Sequence, residues 1–173
     1  MKNRGFEKST IKFWDLQYSE ELHSLRFPIY LKTGEHYSDS YRTTESDVLP
    51  KYLHPGFRKK EGHLYGEGQI DIDYQDVYLT EGALDAMWLW QNGFNNAFAF
   101  LGSPSIEQIK HCVDLGSNFI LCFDADKAGV IDTEKVAKEL RHRRLAYQIV
   151  KLPDGKDVQD LPSQELIKII RRK

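Results

Sequence analysis

Three acidic residues set the chemistry open to this chain. Glu81 follows the apolar run VYLT and precedes a glycine, and Asp124 and Asp126 close a second apolar run, FILCF. Carboxylates gathered at the ends of buried strands lose hydration and repel one another, so the grouping is unfavourable unless a cation joins it. Magnesium takes hard oxygen ligands in octahedral geometry and keeps several waters, so two or three carboxylates plus phosphate oxygens suit it. Two apart at a strand end, Asp124 and Asp126 can point toward one ion, and Gly129 relieves crowding where the chain turns into its helix. The same pair also fits a plain helix cap and turn. Glu81, ending a neighbouring strand, is what makes the set a candidate divalent-metal site for nucleotide chemistry.

Other charged residues extend the set. Asp85 comes one turn after Glu81 and can face the same cleft, although a solvated helix position also explains it. The segment KLPDGKDVQDL places Asp157 and Asp160 as candidates for a further metal, with Asp154-Gly155 as a turn. Lys156 can neutralise a phosphate or pair with the cluster. Upstream, Arg42, Lys51, Arg58, Lys59 and Lys60 form an intermittent basic strip with Tyr52 and Phe57 interleaved. Such a loop can follow a polynucleotide backbone and stack on a base. A solvated charged surface is the bland alternative.

The elements that must position these residues follow from hydrophobic periodicity. Residues 1–25 contain a short helix capped by Ser9 or Thr10, with Phe13 and Trp14 buried. Residues 26–42 read as a hairpin about Lys32-Thr33-Gly34, and the proline- and glycine-rich stretch to about residue 66 as irregular surface. A linker, GEGQIDIDYQD, leads to alternating strands and helices: strands at 77–79, 97–101, 119–123 and 147–152, helices at 82–90, 105–113, 128–143 and from 164 to the C-terminus. In the first of these helices Ala83, Ala86, Met87 and Trp90 face the sheet. Short βα spacing of this kind predicts an α/β fold, a parallel sheet with helices on both faces, preceded by a small basic α+β subdomain. The expected division is 1–72 and 73–173.

Length and composition agree. The chain has 173 residues, 40% apolar, and a formal charge of -2, which gives no general nucleic-acid signature but leaves room for a local basic groove. Cys112 and Cys122 are too few and too isolated for a disulfide framework or zinc knuckle. No apolar run approaches ~18 residues and no signal-peptide core is present, so the expectation is a cytoplasmic protein without a membrane partner.

Taken together, EGxxD, LG, DxDxAG and LPDGKDxxD resemble the Toprim domain shared by bacterial-type DNA primases, type IA and type II topoisomerases and several small nucleases. The resemblance spans about residues 76–162, and RFPI at 26–29, PKYL at 50–53 and LYG at 64–66 are similar to the basic subdomain of the primase branch. It implies that Glu81 is a metal ligand or general acid/base and that Asp124 and Asp126 are the principal magnesium ligands. Asp157 resembles the first carboxylate of a final DxD motif whose third position here is Gln159, with Asp160 as a substitute if the loop shifts. Lys51 and Lys60 match basic residues that contact template or incoming nucleotide, Arg42 matches an arginine of the family's hairpin, and His54 stands where an asparagine is usual; Arg42, Lys51, Lys60 and Lys156 are the implied nucleotide-binding set.

The implied activity is that of a DNA-directed RNA polymerase (a primase, hence a nucleotidyltransferase). It would make short RNA primers on single-stranded DNA from ribonucleoside triphosphates, with Mg2+ or alternatively Mn2+. The implied setting is a bacterial cell or a phage-infected host, with a replicative helicase or a separate zinc-binding protein as partner, since neither a Cys/His zinc module nor a GxxxxGK[ST] loop occurs in the sequence. Two rivals stay open: a Toprim nuclease using the same carboxylates on water, and a non-catalytic nucleic-acid-binding replisome module.

Overall fold

The computed structural model describes residues 4–45, 47–71 and 76–171. Strands β1 (Gln17–Ser19), β2 (Ser24–Tyr30), β3 (His36–Thr43) and β4 (Tyr52–Leu53) form an antiparallel sheet in that order. The expected hairpin is β2–β3, in which Phe27 and Ile29 are fully buried opposite the buried Ser40 and Ser38. Large apolar side chains thus share one face with small polar ones, and the pleat turns the intervening Pro28, itself buried, to the other face. Among the described residues the stretch after β3 is irregular as expected apart from a 3-10 turn at Lys59–Glu61, a bridge at Tyr65 and β4, whose pairing sets Tyr52 opposite Arg42.

Helix α1 (Lys8–Phe13) departs from its reading in two details. Its N-cap is Glu7, without a side-chain cap, and neither Ser9 nor Thr10 fills that place. Thr10 is instead buried, its hydroxyl donating to Gln91 Oε1 at 2.8 Å, a long-range partner that outcompetes the local cap. Trp14 is buried as expected and stacks on Tyr65 at 5.0 Å, but Phe13 is 37% exposed. The two side chains leave the helix end in different directions, and Phe13 lies flat on Trp90 at 4.2 Å, covering it from outside.

The second half is β5 (Asp76–Thr80), α2 (Ala83–Gln91), β6 (Ala97–Ala99), α3 (Ile106–Cys112), β7 (Asn118–Leu121), α4 (Lys127–His142), β8 (Ala146–Ile149) and α5 (Ser163–Ile170). Its four strands are parallel in the order β6-β5-β7-β8. From β5 the chain steps one way to β6, then back past β5 to β7 and on to β8. Right-handed crossovers therefore put α2 on one face and α3 and α4 on the other. The contacts agree, since α2 touches α1 while α3 touches α4. The expected α/β sheet with helices on both faces is the observed one. α2 is enclosed more completely than a sheet-facing stripe predicts, with Leu84, Asp85, Trp88 and Leu89 buried beside Ala83, Ala86 and Met87.

Strands β7 and β8 stop short of the predicted ends. Backbone bonds Cys122 N to Leu79 O (2.8 Å) and Val150 N to Leu121 O (2.9 Å) finish the pairing, and the chain then turns out into the acidic loops. Both cysteines are buried and free.

One continuous core joins the two sheets: Trp14, Phe27 and Ile29 belong to the same apolar cluster as Leu79, Met87 and Phe98. The segment between them is stitched into that core. Tyr65 and Ala99 exchange backbone hydrogen bonds of 2.9 and 3.1 Å as an isolated antiparallel bridge, extending the parallel sheet beyond β6. At Gly68 the chain passes so close to β2 that a Cβ would lie 2.4 Å from Tyr30 Cβ and 2.5 Å from the Leu31 carbonyl oxygen. The boundary expected at 72/73 and the end of the linker reading fall in residues outside those described. Among the described residues no helix is long and apolar enough to cross a membrane.

Gly68 therefore fixes how tightly the two sheets close. Gly68→Ala should lower unfolding stability by about 1–3 kcal/mol, the usual cost of forcing a methyl group into packed surroundings. Urea unfolding would show this as a reduced midpoint at unchanged slope; an unchanged midpoint would contradict the close approach.

Candidate functional site

The strand order creates the site. β5 and β7 lie side by side, and the chain leaves them in opposite directions, so a crevice opens beyond their C-terminal ends. Glu81 is the first residue after β5, and Asp124 follows β7 by three positions. Thr80 anchors the first of these ends, its buried hydroxyl lying 3.1 Å from Gly82 O and 3.3 Å from Phe98 O. Glycines make the geometry possible at two points. A Cβ at Gly82 would sit 2.6 Å from Asp85 Oδ2, and one at Gly129 would sit 2.1 Å from the Asp124 carbonyl oxygen and 2.8 Å from Glu81 Oε1. The crowding read at Gly129 from sequence is thus present, and it presses on both strand ends at once.

Glu81, Asp85, Asp124 and Asp157 line a cavity of about 320 Å³ together with Arg42, Tyr52 and His54 of the first sheet and the segment after it. Burial, then repulsion from Asp124 and Asp132, pushes the Glu81 carboxyl up to about 7. Burial, then Asp157 and Asp126, pushes Asp124 up to about 6. Asp85 is raised well above the ordinary carboxylate range by full burial and by Asp157. Asp157 is raised by burial, against a backbone hydrogen bond from Asp160. Each cause is one that a bound cation would relieve.

A divalent ion fits this donor set on a specific observation: Glu81 Oε1 and Asp124 Oδ1 are buried with no hydrogen-bond partner. Buried carboxylate oxygens seldom stay unpaired, because each then bears its full desolvation penalty. Among the described residues no three His, Cys, Asp or Glu side chains close into a ready-made metal cage. Few protein ligands and a large share of water and phosphate are what magnesium accepts.

The remaining predicted residues lie around the cavity and do not line it. Asp126 is the N-cap of α4, its Oδ1 accepting from Gly129 N at 2.8 Å, so the cap reading holds for that oxygen. Asp160 and Lys156 face each other at 3.9 Å across the last loop. Lys51 and Lys60 are exposed on the basic loop. The lysine of the strip that interacts with Glu81 is Lys59, beside the cavity. Its Nζ donates to Ser103 O at 2.7 Å on the loop after β6, and it acts electrostatically on Glu81 and Asp132. The basic strip signalled a lysine here, but not which one turns inward.

Two further features escaped the sequence. The Arg42 guanidinium lies over the Tyr52 ring at 5.2 Å, and His54 is parallel to that ring at 6.0 Å, so the wall is a stacked cation–aromatic–imidazole set. Gln159 is held by Arg4 from the opposite end of the chain, with Arg4 Nη1 donating to its Oε1 at 2.7 Å.

Comparison with known proteins bears on this geometry. A family described as Toprim-like matches residues 78–161. DNA primase of Listeria monocytogenes is 31% identical over 144 residues, covering 79% of this chain and 23% of that protein. The chain thus spans about a quarter of the length of the curated relatives it matches. The Aquifex aeolicus primase (zinc-binding and RNA polymerase domains) superposes with a TM-score of 0.83 at 21% identity, over 98% of this chain and 53% of that one. A primase catalytic domain bound to single-stranded DNA superposes with a TM-score of 0.80 at 20% identity, over 99% of this chain and 69% of that one. The acidic crevice of residues 78–161 is a Toprim-like domain, and the chain that carries it belongs among the homologues of bacterial-type DNA primase.

Proposed function

We propose that this chain is the polymerising core of a primase, a nucleotidyltransferase that makes short RNA primers on single-stranded DNA from ribonucleoside triphosphates. One observation carries the reading. The unpaired Glu81 Oε1 and Asp124 Oδ1 share a cavity with the cationic, aromatic surface of Arg42, Tyr52 and His54. A polyanionic nucleotide needs both halves, one to take a cation and one to take phosphate and base.

In this reaction the 3′-hydroxyl oxygen of one ribonucleotide attacks the α-phosphorus of the next. A P–O bond forms, the bond to the leaving pyrophosphate breaks, and the hydroxyl proton is lost. Glu81 and Asp124 would hold Mg2+ or Mn2+, with Asp126 and Asp157 near enough to act through space, and the ion supplies Lewis-acid stabilisation of phosphate and alkoxide charge. Arg42 orients the triphosphate from the cavity wall, and Lys59, held beside the loop after β6, adds positive charge near Glu81. Tyr52 and His54 offer flat surface to a base. Glu81 serves either as a ligand of that ion or, in place of that role, as the base that takes the 3′-hydroxyl proton. The single-stranded DNA held by the structural neighbour supports the template class. A replicative helicase and a zinc-binding module, such as the Aquifex protein carries, are the partners this role implies.

Incubation with single-stranded DNA, labelled ribonucleotides and Mg2+ or Mn2+ should yield short oligoribonucleotides on a gel. Shortened template would establish a nuclease instead, and a mobility shift with neither product a binding module. Asp124→Asn should cut synthesis by at least about 100-fold, in the range expected for loss of a central electrostatic group. Its cation-free melting temperature should not fall, because the change removes repulsion from Asp157 and Asp126.

A pH dependence follows with a definite sign. The unfolded chain releases the Glu81 and Asp124 protons near pH ~4, whereas the folded chain holds them to about 7 and about 6. The folded state binds more protons across that window, so these two groups cost stability increasingly as pH rises through it. Mg2+ binds the ionised forms, and its stabilising effect should be large above pH ~7.5 and shrink toward pH ~5. Thermal melts with and without Mg2+ at both ends of the range check this; a shift independent of pH would contradict it.

A further inference from the structure

The carboxylates around the cavity are of two kinds. On the near edge, Glu81 and Asp124 each keep a buried oxygen without a partner. On the far edge the protein already supplies donors. Asp85 Oδ1 accepts from Gln159 N at 3.1 Å, and Asp157 Oδ1 accepts from Asp160 N at 2.8 Å. Asp160 Oδ2 accepts from Asp157 N at 3.4 Å and faces Lys156 at 3.9 Å.

Gln159 sits at the centre of this far edge and is gripped at two points. Arg4 Nη1 donates to its Oε1 at 2.7 Å, and its Nε2 donates to Arg4 O at 3.1 Å. Gly5 and Phe6 hold Arg4 in place. The Gly5 carbonyl accepts from Gln91 Nε2 at 3.0 Å, and Phe6 packs edge-on against Trp88 at 5.5 Å. Trp88 in turn donates its indole N–H to Leu161 O at 3.0 Å. Residues 4–6 therefore tie α2 to the acidic loop on both sides of Asp160.

We propose that Arg4, seated by Gln159, is the resident cation of the far edge, so that the cluster takes one divalent ion, at Glu81 and Asp124, and not two. The proposal rests on the reading of Glu81 and Asp124 as cation ligands. Arg4 and Arg42 both act on Asp157 with the sign of a counter-charge. A second ion at Asp157 and Asp160 would have to break their reciprocal backbone bonds and enter against a guanidinium that cannot lose its charge. Arg4 touches no reacting atom in this scheme and is a positioning residue.

The test is a count of Mn2+ bound per chain at neutral pH, read from the electron paramagnetic resonance signal of the free ion. The intact chain should bind one. Arg4→Lys, which keeps the charge, should also bind one. The double change Arg4→Ala with Gln159→Asp, which removes the resident charge and adds a carboxylate, should bind two, the second more weakly. Asp124→Asn should reduce the intact count to zero. Two ions on the intact chain would overturn the proposal, whether or not the double variant folds. One ion on a double variant that keeps the circular dichroism of the intact chain would overturn it too. No ion on the intact chain would sink the Glu81–Asp124 site itself and the proposal with it.

Discussion

Like charges held side by side at a strand switch point are the constraint on which the rest of this structure depends. Glu81 and Asp124 each lose hydration and feel neighbouring carboxylates, and Asp85 is buried entirely beside them. Left to themselves the three would splay apart. Backbone bonds prevent it. Ala125 N binds Lys156 O and Gly155 N binds Ala125 O, both at 2.9 Å, so the last acidic loop is laced to the end of β7 by main chain alone. Gly129 then lets α4 start directly against the Asp124 carbonyl. Because these restraints use no carboxylate oxygen, Glu81 Oε1 and Asp124 Oδ1 stay available.

The facing wall comes from the other sheet, and its placement depends on contacts that look purely structural. Ser105 caps α3 by accepting from Gln108 N at 3.1 Å, and the same hydroxyl donates to Lys59 O at 2.9 Å. Gln108 closes the capping box and also donates to His63 O and Phe100 O. Two residues thus end a helix and fasten the basic loop to the loop after β6. Further along, the buried Glu67 accepts from Leu64 N at 2.6 Å and meets His111 at 3.0 Å. The basic loop is pinned at three places along α3, and its Lys59 is held against the loop after β6 while Lys60 stays exposed.

Much of this is legible in the sequence, and the remainder has a common physical cause. The order of strands and helices, the hairpin, a cap at Ser105 and the acidic set at Glu81, Asp85, Asp124 and Asp157 follow from periodicity and local chemistry. Phe13, Thr10, Lys59 and Gln159 escape that kind of reading because their partners are remote: Trp90, Gln91, Ser103 and Arg4. Local pattern fixes which face a residue occupies, not which distant group will meet it. The undersized β4 escapes for a related reason, since a two-residue strand has no period to detect and exists only through its pairing with β3.

That short pairing has a consequence for the chemistry of the wall. Setting Tyr52 opposite Arg42 lets the guanidinium lie across the ring, which restrains a flexible cation without neutralising it. An ion pair with a carboxylate would have fixed Arg42 equally well and cancelled its charge; the first sheet uses that solution for Arg26 with Asp39, at 2.9 Å. Burial likewise pushes Tyr52 up to about 12, so the ring stays neutral and the wall keeps its positive sign across the working pH range. The cavity therefore brings a restrained cation and the carboxylate cluster together. On the proposed reading, a ligand that carries both phosphate and a metal ion meets a field already arranged for it, and most of the reorganisation was completed when the chain folded.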